Sequence, residues 1–128
     1  MKLRPINAPD APQPAGNGYA QAMEVSGASR IVYISGQVPT EIDGSVPKDF
    51  EAQARLCWKN VIAQLNAADI TLDNLVKVTV FLAERKYTAD YRRVRNEVLA
   101  GRTVSLSTII TGIFDESWLL EIEAIAAA

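Results

Sequence analysis

The sequence of 128 residues predicts an α+β fold with the element order ββαβαββ. Three observations carry that reading. Short runs rich in β-branched and apolar residues recur at 20–25, 30–36, 75–83, 104–110 and 118–126, as strands do. Two longer segments, from Phe50 to about Ala68 and from Thr88 to Gly101, repeat apolar residues at helical spacing. The strands carry apolar groups on both faces, whereas two helices cover only one face of a sheet.

Taken in order, a short extra strand fits Leu3 to Ile6, and residues 7–18, NAPDAPQPAGNG, make an irregular lead-in rich in Pro, Gly and Asn. AQAMEV (20–25) and RIVYISG (30–36) flank Ser26-Gly27-Ala28-Ser29, a hairpin signal. QVPTEIDGSVPK (37–48), with two prolines and Asp43-Gly44, is a loop. In the first helix Phe50, Ala54, Cys57, Trp58, Val61, Ile62 and Leu65 form the apolar stripe, with Glu51, Arg55, Lys59 and Gln64 on the other side. LVKVTVFLA (75–83) is a strand, with Val76, Val78 and Val80 expected on one face and Leu75 and Phe81 on the other. Thr88 is a candidate cap for the second helix, whose stripe is Tyr91, Val94, Val98 and Leu99 and whose stop is Gly101. Arg92, Arg93 and Arg95 read as its solvated side. VSLSTII (104–110) and WLLEIEAIA (118–126) close the chain, joined by a turn around Gly112 and Asp115-Glu116. One domain over residues 1–128 is expected, and the apolar sheet face without a helix asks for another cover, most simply a second copy of the chain.

Composition narrows the chemistry. The net charge of −2 and isoelectric point near 5.1 give no electrostatic reason to expect a nucleic-acid partner. There is one cysteine, Cys57, and no histidine. Ser-His and Cys-His nucleophile systems, His-ligated zinc and thiolate metal clusters are thereby excluded, and no cofactor is expected. Catalysis, if present, falls to carboxylates, Tyr, Lys, Arg, Ser/Thr or backbone groups acting on water. MKLRPINAPD has no apolar core of signal-peptide length and no segment approaches a membrane span, so the cytoplasm is the default setting and no membrane partner is expected.

Several residues have both a plain and a functional reading. Glu121 and Glu123 share a strand face with Leu119 and Ile125; they are either a solvated strip near an edge or carboxylates at a cleft, one of which positions or deprotonates a water. Tyr19, at the end of the lead-in, either staples a loop or hydrogen-bonds a ligand. Ser35-Gly36, ending a buried strand, is either a turn or a place where backbone N–H groups hold an anion.

Together these segments resemble the Rid (YjgF) family of small proteins. NAP (7–9) and GYAQA (18–22) are similar to that family's NAP and PYSQA, YISGQVP (33–39) to its F-V-S-G-Q-x-P, TVFLA (79–83) to its T-V-F-L-A/T, and EIEAIA (121–126) to its closing strand. The resemblance implies a chorismate-mutase-like fold and a homotrimer whose sheets pack face to face, with ligand clefts between subunits. It also implies hydrolysis of reactive enamines and imines to 2-oxo acids and ammonia. Tyr19, Gly36 and Glu121 match the family pattern, with Glu121 and Tyr19 as the implied catalytic groups and Ser35, Gly36, Ser107, Thr108 and Lys86 as implied substrate contacts.

One position departs from it. The family's deaminases carry an arginine fifteen positions before the closing glutamate, where it clamps the substrate carboxylate; here that position is Leu106, in Leu106-Ser107-Thr108. Arg102 lies four residues upstream, about 13 Å away by strand rise. Ala20 stands for the family's serine and Lys86 for an asparagine. Two functions are consistent with this: an enamine or imine hydrolase acting outside the usual 2-imino acids, or a non-catalytic trimer binding a small metabolite. Endoribonuclease activity, attached to relatives, fits poorly with an acidic chain lacking histidine.

Overall fold

The computed structural model describes residues 1–16 and 18–128; Asn17, in the lead-in, lies outside them. In chain order the elements are β1 (Lys2–Ile6), β2 (Tyr19–Ala20), β3 (Ala22–Ser26), β4 (Ile31–Gln37), α1 (Phe50–Ala67), β5 (Leu75–Leu82), α2 (Thr88–Leu99), β6 (Val104–Ile110) and β7 (Leu120–Ala127). Short 3₁₀ turns, Leu72–Asn74 and Arg85–Tyr87, lead into β5 and α2.

Five strands form one mixed sheet in the order β2-β6-β5-β7-β4, and β1 pairs with β3 in a separate two-stranded ribbon that packs on β5 and β6. The hairpin expected between the segments 20–25 and 30–36 is therefore not made. β3 pairs antiparallel with β1, Arg4 opposite Glu24 and ion-paired to it, while β4 pairs antiparallel with β7. A four-residue turn signal cannot choose between a local partner and the long β7 edge, which offers β4 a full ladder. The parallel pairing of β5 and β6 needs a crossover, and α2 supplies it.

α1 starts where expected because Asp49 accepts a hydrogen bond from the Ala52 N–H at 3.0 Å. Its stripe, with Ala54, Cys57, Trp58, Val61 and Leu65 almost fully buried, packs on β7 and β4 and on α2. Thr88 does not cap α2: its hydroxyl donates to the Arg85 carbonyl instead. Arg95 is not part of a solvated side. It is 5 % exposed, its Nε and Nη2 donate to Asn96 Oδ1, and burial lowers its affinity for its proton.

Register sorts the sheet into two faces, because cross-strand partners point the same way. On the helix side run the rows Leu106–Val78–Ala124–Ile34 and Ile110–Leu82–Leu120. On the other side run Ser107–Thr79–Glu123 and Ile109–Phe81–Glu121. A register shift between Leu75 and Lys77 puts Leu75 on the helix side with Val78, not opposite it. The second face exposes Tyr33, Ile31 and Ile109 in the single chain.

Candidate functional site

Glu121 is built into a corner of the open face by two backbone features. β4 carries one extra residue between Ile34 and Gln37, a bulge that breaks its alternation opposite Glu123. Ser35 thereby lies on the open side, while Gln37 turns to the helix side, where its Oε1 accepts from Gln64 Nε2. Gly36 lies directly against Glu121: a Cβ there would sit 2.6 Å from Glu121 Cδ and 2.9 Å from Cγ. The glycine is thus required by a close approach and not by its backbone angles.

Beside this carboxylate is a hollow of about 260 Å³ lined by Phe81, Thr111, Gly112, Ile113, Phe114 and Glu121. The loop that forms its rim is anchored from below. Gln53, 1 % exposed on α1, donates from Nε2 to the Ser117 and Pro47 carbonyls and accepts from the Leu119 N–H. Asp115 Oδ1 accepts from the Ser117 N–H and hydroxyl, which holds that carboxyl below its ordinary range. Asn60, seven residues after Gln53, donates to the Val38 and Thr40 carbonyls and fixes the chain leaving β4. These two carboxamides escaped the sequence reading. Their signal was a seven-residue spacing of amide side chains beside the apolar stripe.

A second hollow on the same face, about 370 Å³, is lined among others by Tyr33, Ser35, Lys77, Thr79 and Glu123. Ser107 belongs here, its Oγ accepting from Lys77 Nζ at 2.9 Å.

The remaining predicted residues lie elsewhere in the chain. Leu106 points to the helix side and packs against the core, on the opposite face of the sheet from Glu121. Thr108 shares that side and is exposed. Tyr19 pairs with Val104, also on that side, near Arg95, and its hydroxyl accepts from the Ala15 N–H at 2.7 Å, so it does staple the lead-in. Lys86, in the turn after β5, pairs with Glu84 at 3.4 Å and lies over the Tyr87 ring. Arg102 is bound to Asp73 at 2.6 Å and to the Leu99 carbonyl, away from any role on the open face. One chain therefore carries two groups of candidate residues. Ser35, Gly36, Glu121 and the hollow rim lie on the open side near β4 and β7; Tyr19, Leu106 and Thr108 lie on the helix side near β2 and β6.

Among the described residues no group of three or more His, Cys, Asp or Glu could hold a metal ion. Cys57 is buried, and desolvation first, then the nearby Glu121 charge, push its thiol far up. It is an inert core residue. The chemistry available at the open corner is that of one carboxylate among aromatic, aliphatic and hydroxyl groups, suited to orienting and deprotonating a water.

A mixed sheet with two helices on one face and a glutamate seated against a bulged strand on the other defines a small α+β protein of the chorismate-mutase-like class. The chain belongs to the Rid (YjgF/RutC) family: the family profile described as Endoribonuclease L-PSP matches residues 8–128. It is 33 % identical over 131 residues to a RutC family protein of Haemophilus influenzae, with 98 % of each chain covered. It is 39 % identical over 97 residues to Protein MMF1, mitochondrial, of Saccharomyces cerevisiae, covering 72 % of this chain and 61 % of that one. Among solved structures, the Rid family protein YyfB of Yersinia pestis superposes with a TM-score of 0.84 at 22 % identity over all of both chains, a likeness of fold. Escherichia coli TdcF, solved with bound serine, gives 0.68 at 30 % identity over 98 % of each. Among the described residues no helix is long and apolar enough to cross a membrane.

Proposed function

We propose that the protein is a homotrimeric hydrolase of small enamines or imines, with Glu121 positioning the attacking water. The observation that carries this reading is the seat of Glu121 against Gly36, with its carboxylate beside a small hollow on the open face. In the proposed reaction an enamine first takes a proton at carbon and gives one up from nitrogen to become the imine. Glu121 then orients a water and accepts a proton as its oxygen adds to the C=N carbon. The π pair moves to nitrogen, which is protonated; the C–N bond breaks and ammonia leaves a carbonyl product. The net reaction is imine plus water to carbonyl plus ammonia, with no cofactor.

The trimer gives the two groups of residues a common use. In a head-to-tail ring the helix-side group of one copy would lie against the open-side group of the next, so each interface would hold Glu121, Gly36 and Ser35 from one chain and Tyr19, Leu106 and Thr108 from its neighbour. Lys86, near the end of β5, would approach the same cleft. The exposed Tyr33, Ile31 and Ile109 support burial against another copy. Tyr19 keeps its hydroxyl proton free to donate, since its oxygen accepts from Ala15. Leu106 supports a substrate outside the usual 2-imino acids, because no guanidinium stands where the family's carboxylate clamp does. The proposed setting is the cytoplasm; the mitochondrial MMF1 shows that the family is not confined to it.

A second reading, a non-catalytic trimer that binds a small metabolite, is favoured by the same Leu106 and by the serine bound to TdcF. Turnover separates the two. Imines generated in situ should release ammonia faster with the protein than without it, and light scattering should give three times the chain mass. No acceleration with any imine favours the binding protein, and a stable monomer rejects the shared cleft.

A further inference from the structure

We infer that the hollow beside Glu121 takes imines that carry no carboxylate, neutral or protonated, with an apolar ring-sized body, and that Phe114 is the residue that selects them. This deepens the imine-hydrolase reading and rests on it. The first ground is charge. Among the described residues lining the hollow, Glu121 is the one ionisable group; the others are Phe81, Thr111, Gly112, Ile113 and Phe114. No Lys or Arg is among the described residues that line the hollow. A carboxylate in a largely apolar wall repels a second carboxylate and attracts an iminium nitrogen. That nitrogen is also the one whose charge makes its carbon electrophilic.

The second ground is shape. Phe114 is 96 % exposed at the rim, an unusual place for a phenyl group. Its loop is nonetheless held, by Gln53 on Ser117 and Leu119 and by Asp115 on Ser117. Phe81 supplies a second ring on the hollow floor. Two phenyl groups and Ile113 around about 260 Å³ suit one small ring, which an aromatic wall binds face or edge on. Imines of this class arise when an amine, and not an amino acid, is oxidised at its C–N bond. Hydrolysis of an arylaldimine adds water across C=N, returns the electron pair to nitrogen and releases ammonia and the aldehyde.

The test uses the full-length protein and two stable probes of the same ring and opposite charge, benzylammonium and benzoate. Calorimetry should find benzylammonium bound about tenfold more tightly than benzoate, and Glu121→Gln should erase that preference, a change of about 1.4 kcal/mol. Phe114→Ala should weaken benzylammonium binding about fivefold or more, with the assembly mass unchanged in light scattering. Equal or better binding of benzoate, no binding of either probe, or full benzylammonium affinity in Phe114→Ala overturns the inference. A change of assembly mass in Phe114→Ala also overturns it, by making Phe114 an interface residue. In turnover, an arylaldimine made by an amine oxidase should be hydrolysed faster than 2-iminopropanoate made by an amino-acid oxidase. The reverse order overturns the inference and leaves imine hydrolysis standing. Absence of turnover with every imine removes the hydrolase reading alone, and the probe comparison then decides the ligand class.

Discussion

Gly36 and Glu121 are in contact across the β4–β7 ladder so closely that any side chain at position 36 would occupy the space of the carboxylate. Gly36→Ala should therefore lower stability by about 1 kcal/mol, less than overpacking a rigid core, because the group that must yield is the end of a half-buried side chain. It should also displace the carboxylate and reduce turnover. Adding Glu121→Ala should recover most of the stability, because the contact is then gone. Urea denaturation of the four members of the cycle checks this; additive effects would mean that the strain lies elsewhere.

Gln53 ties α1 to the loop that leads from the hollow into β7 and to the loop that precedes α1. Gln53→Leu keeps the volume but leaves the Leu119 N–H and two carbonyls without partners, at a cost of roughly 2–3 kcal/mol. The loss should be accompanied by increased proteolytic cutting within residues 111–119, read by mass spectrometry of limited digests. Stability without increased cutting would remove Gln53 as the anchor of the rim.

The α1–α2 core sets an alkaline limit. Burial pushes both the Cys57 thiol and the Tyr91 phenol up, and Trp58 Nε1 approaches the Tyr91 hydroxyl without a bond of normal geometry. Each group is held neutral in the fold, so its contribution is complete below its unfolded pKa and is lost as pH rises towards the folded one. Unfolded thiols titrate near about 8.5 and phenols near about 10, so stability should fall from about pH 8.5 and more steeply above about 10. Each group adds at most about 1.4 kcal/mol per pH unit. Cys57→Ala should flatten the first part of the curve and Tyr91→Phe the second, in urea midpoints measured from pH 7 to 11. A flat profile in the unaltered protein would contradict it.

Much of the fold was legible because helical periodicity and β-branched runs are local. Asp49 caps α1 and its apolar stripe runs to Ala67, within one residue of the expected end. What the sequence did not reveal depends on partner choice and register. The turn 26–29 suggested a hairpin, but β4 found its ladder on β7. The irregularities at Val76 and at Ser35–Gly36 shift parity by one residue, which no alternation count can foresee. Leu106 and Glu121 face opposite ways for a different reason, since Leu106 pairs with Val78 and Glu121 with Phe81, an odd number of residues apart on β5. Arg95 was misassigned because a helical stripe does not show that β2 and its Tyr19 close over α2. Glu121 and Gly36 were found because their motifs are contiguous.

Leu106→Arg should create or strengthen hydrolysis of 2-imino acids. Leu106 packs partly against the core, so the guanidinium should lower stability by about 1–3 kcal/mol until an anion neutralises it. A 2-oxo acid such as pyruvate should restore the loss by binding the folded protein. A folded variant of unchanged assembly mass that neither hydrolyses 2-iminopropanoate nor binds pyruvate would mean that the site has been rebuilt beyond this one residue. Pairing the change with Ala20→Ser tests how far.

The most direct measurement is the effect of Glu121→Gln on imine turnover and on ligand affinity in the same preparation. The amide keeps the shape beside Gly36 but cannot accept a proton from water. The predicted result is a fall in kcat of about 10²-fold or more, the usual worth of a positioned general base, with the assembly mass and the melting temperature preserved. A kcat that stays at the unaltered value would contradict the assignment of Glu121 as the group that activates water.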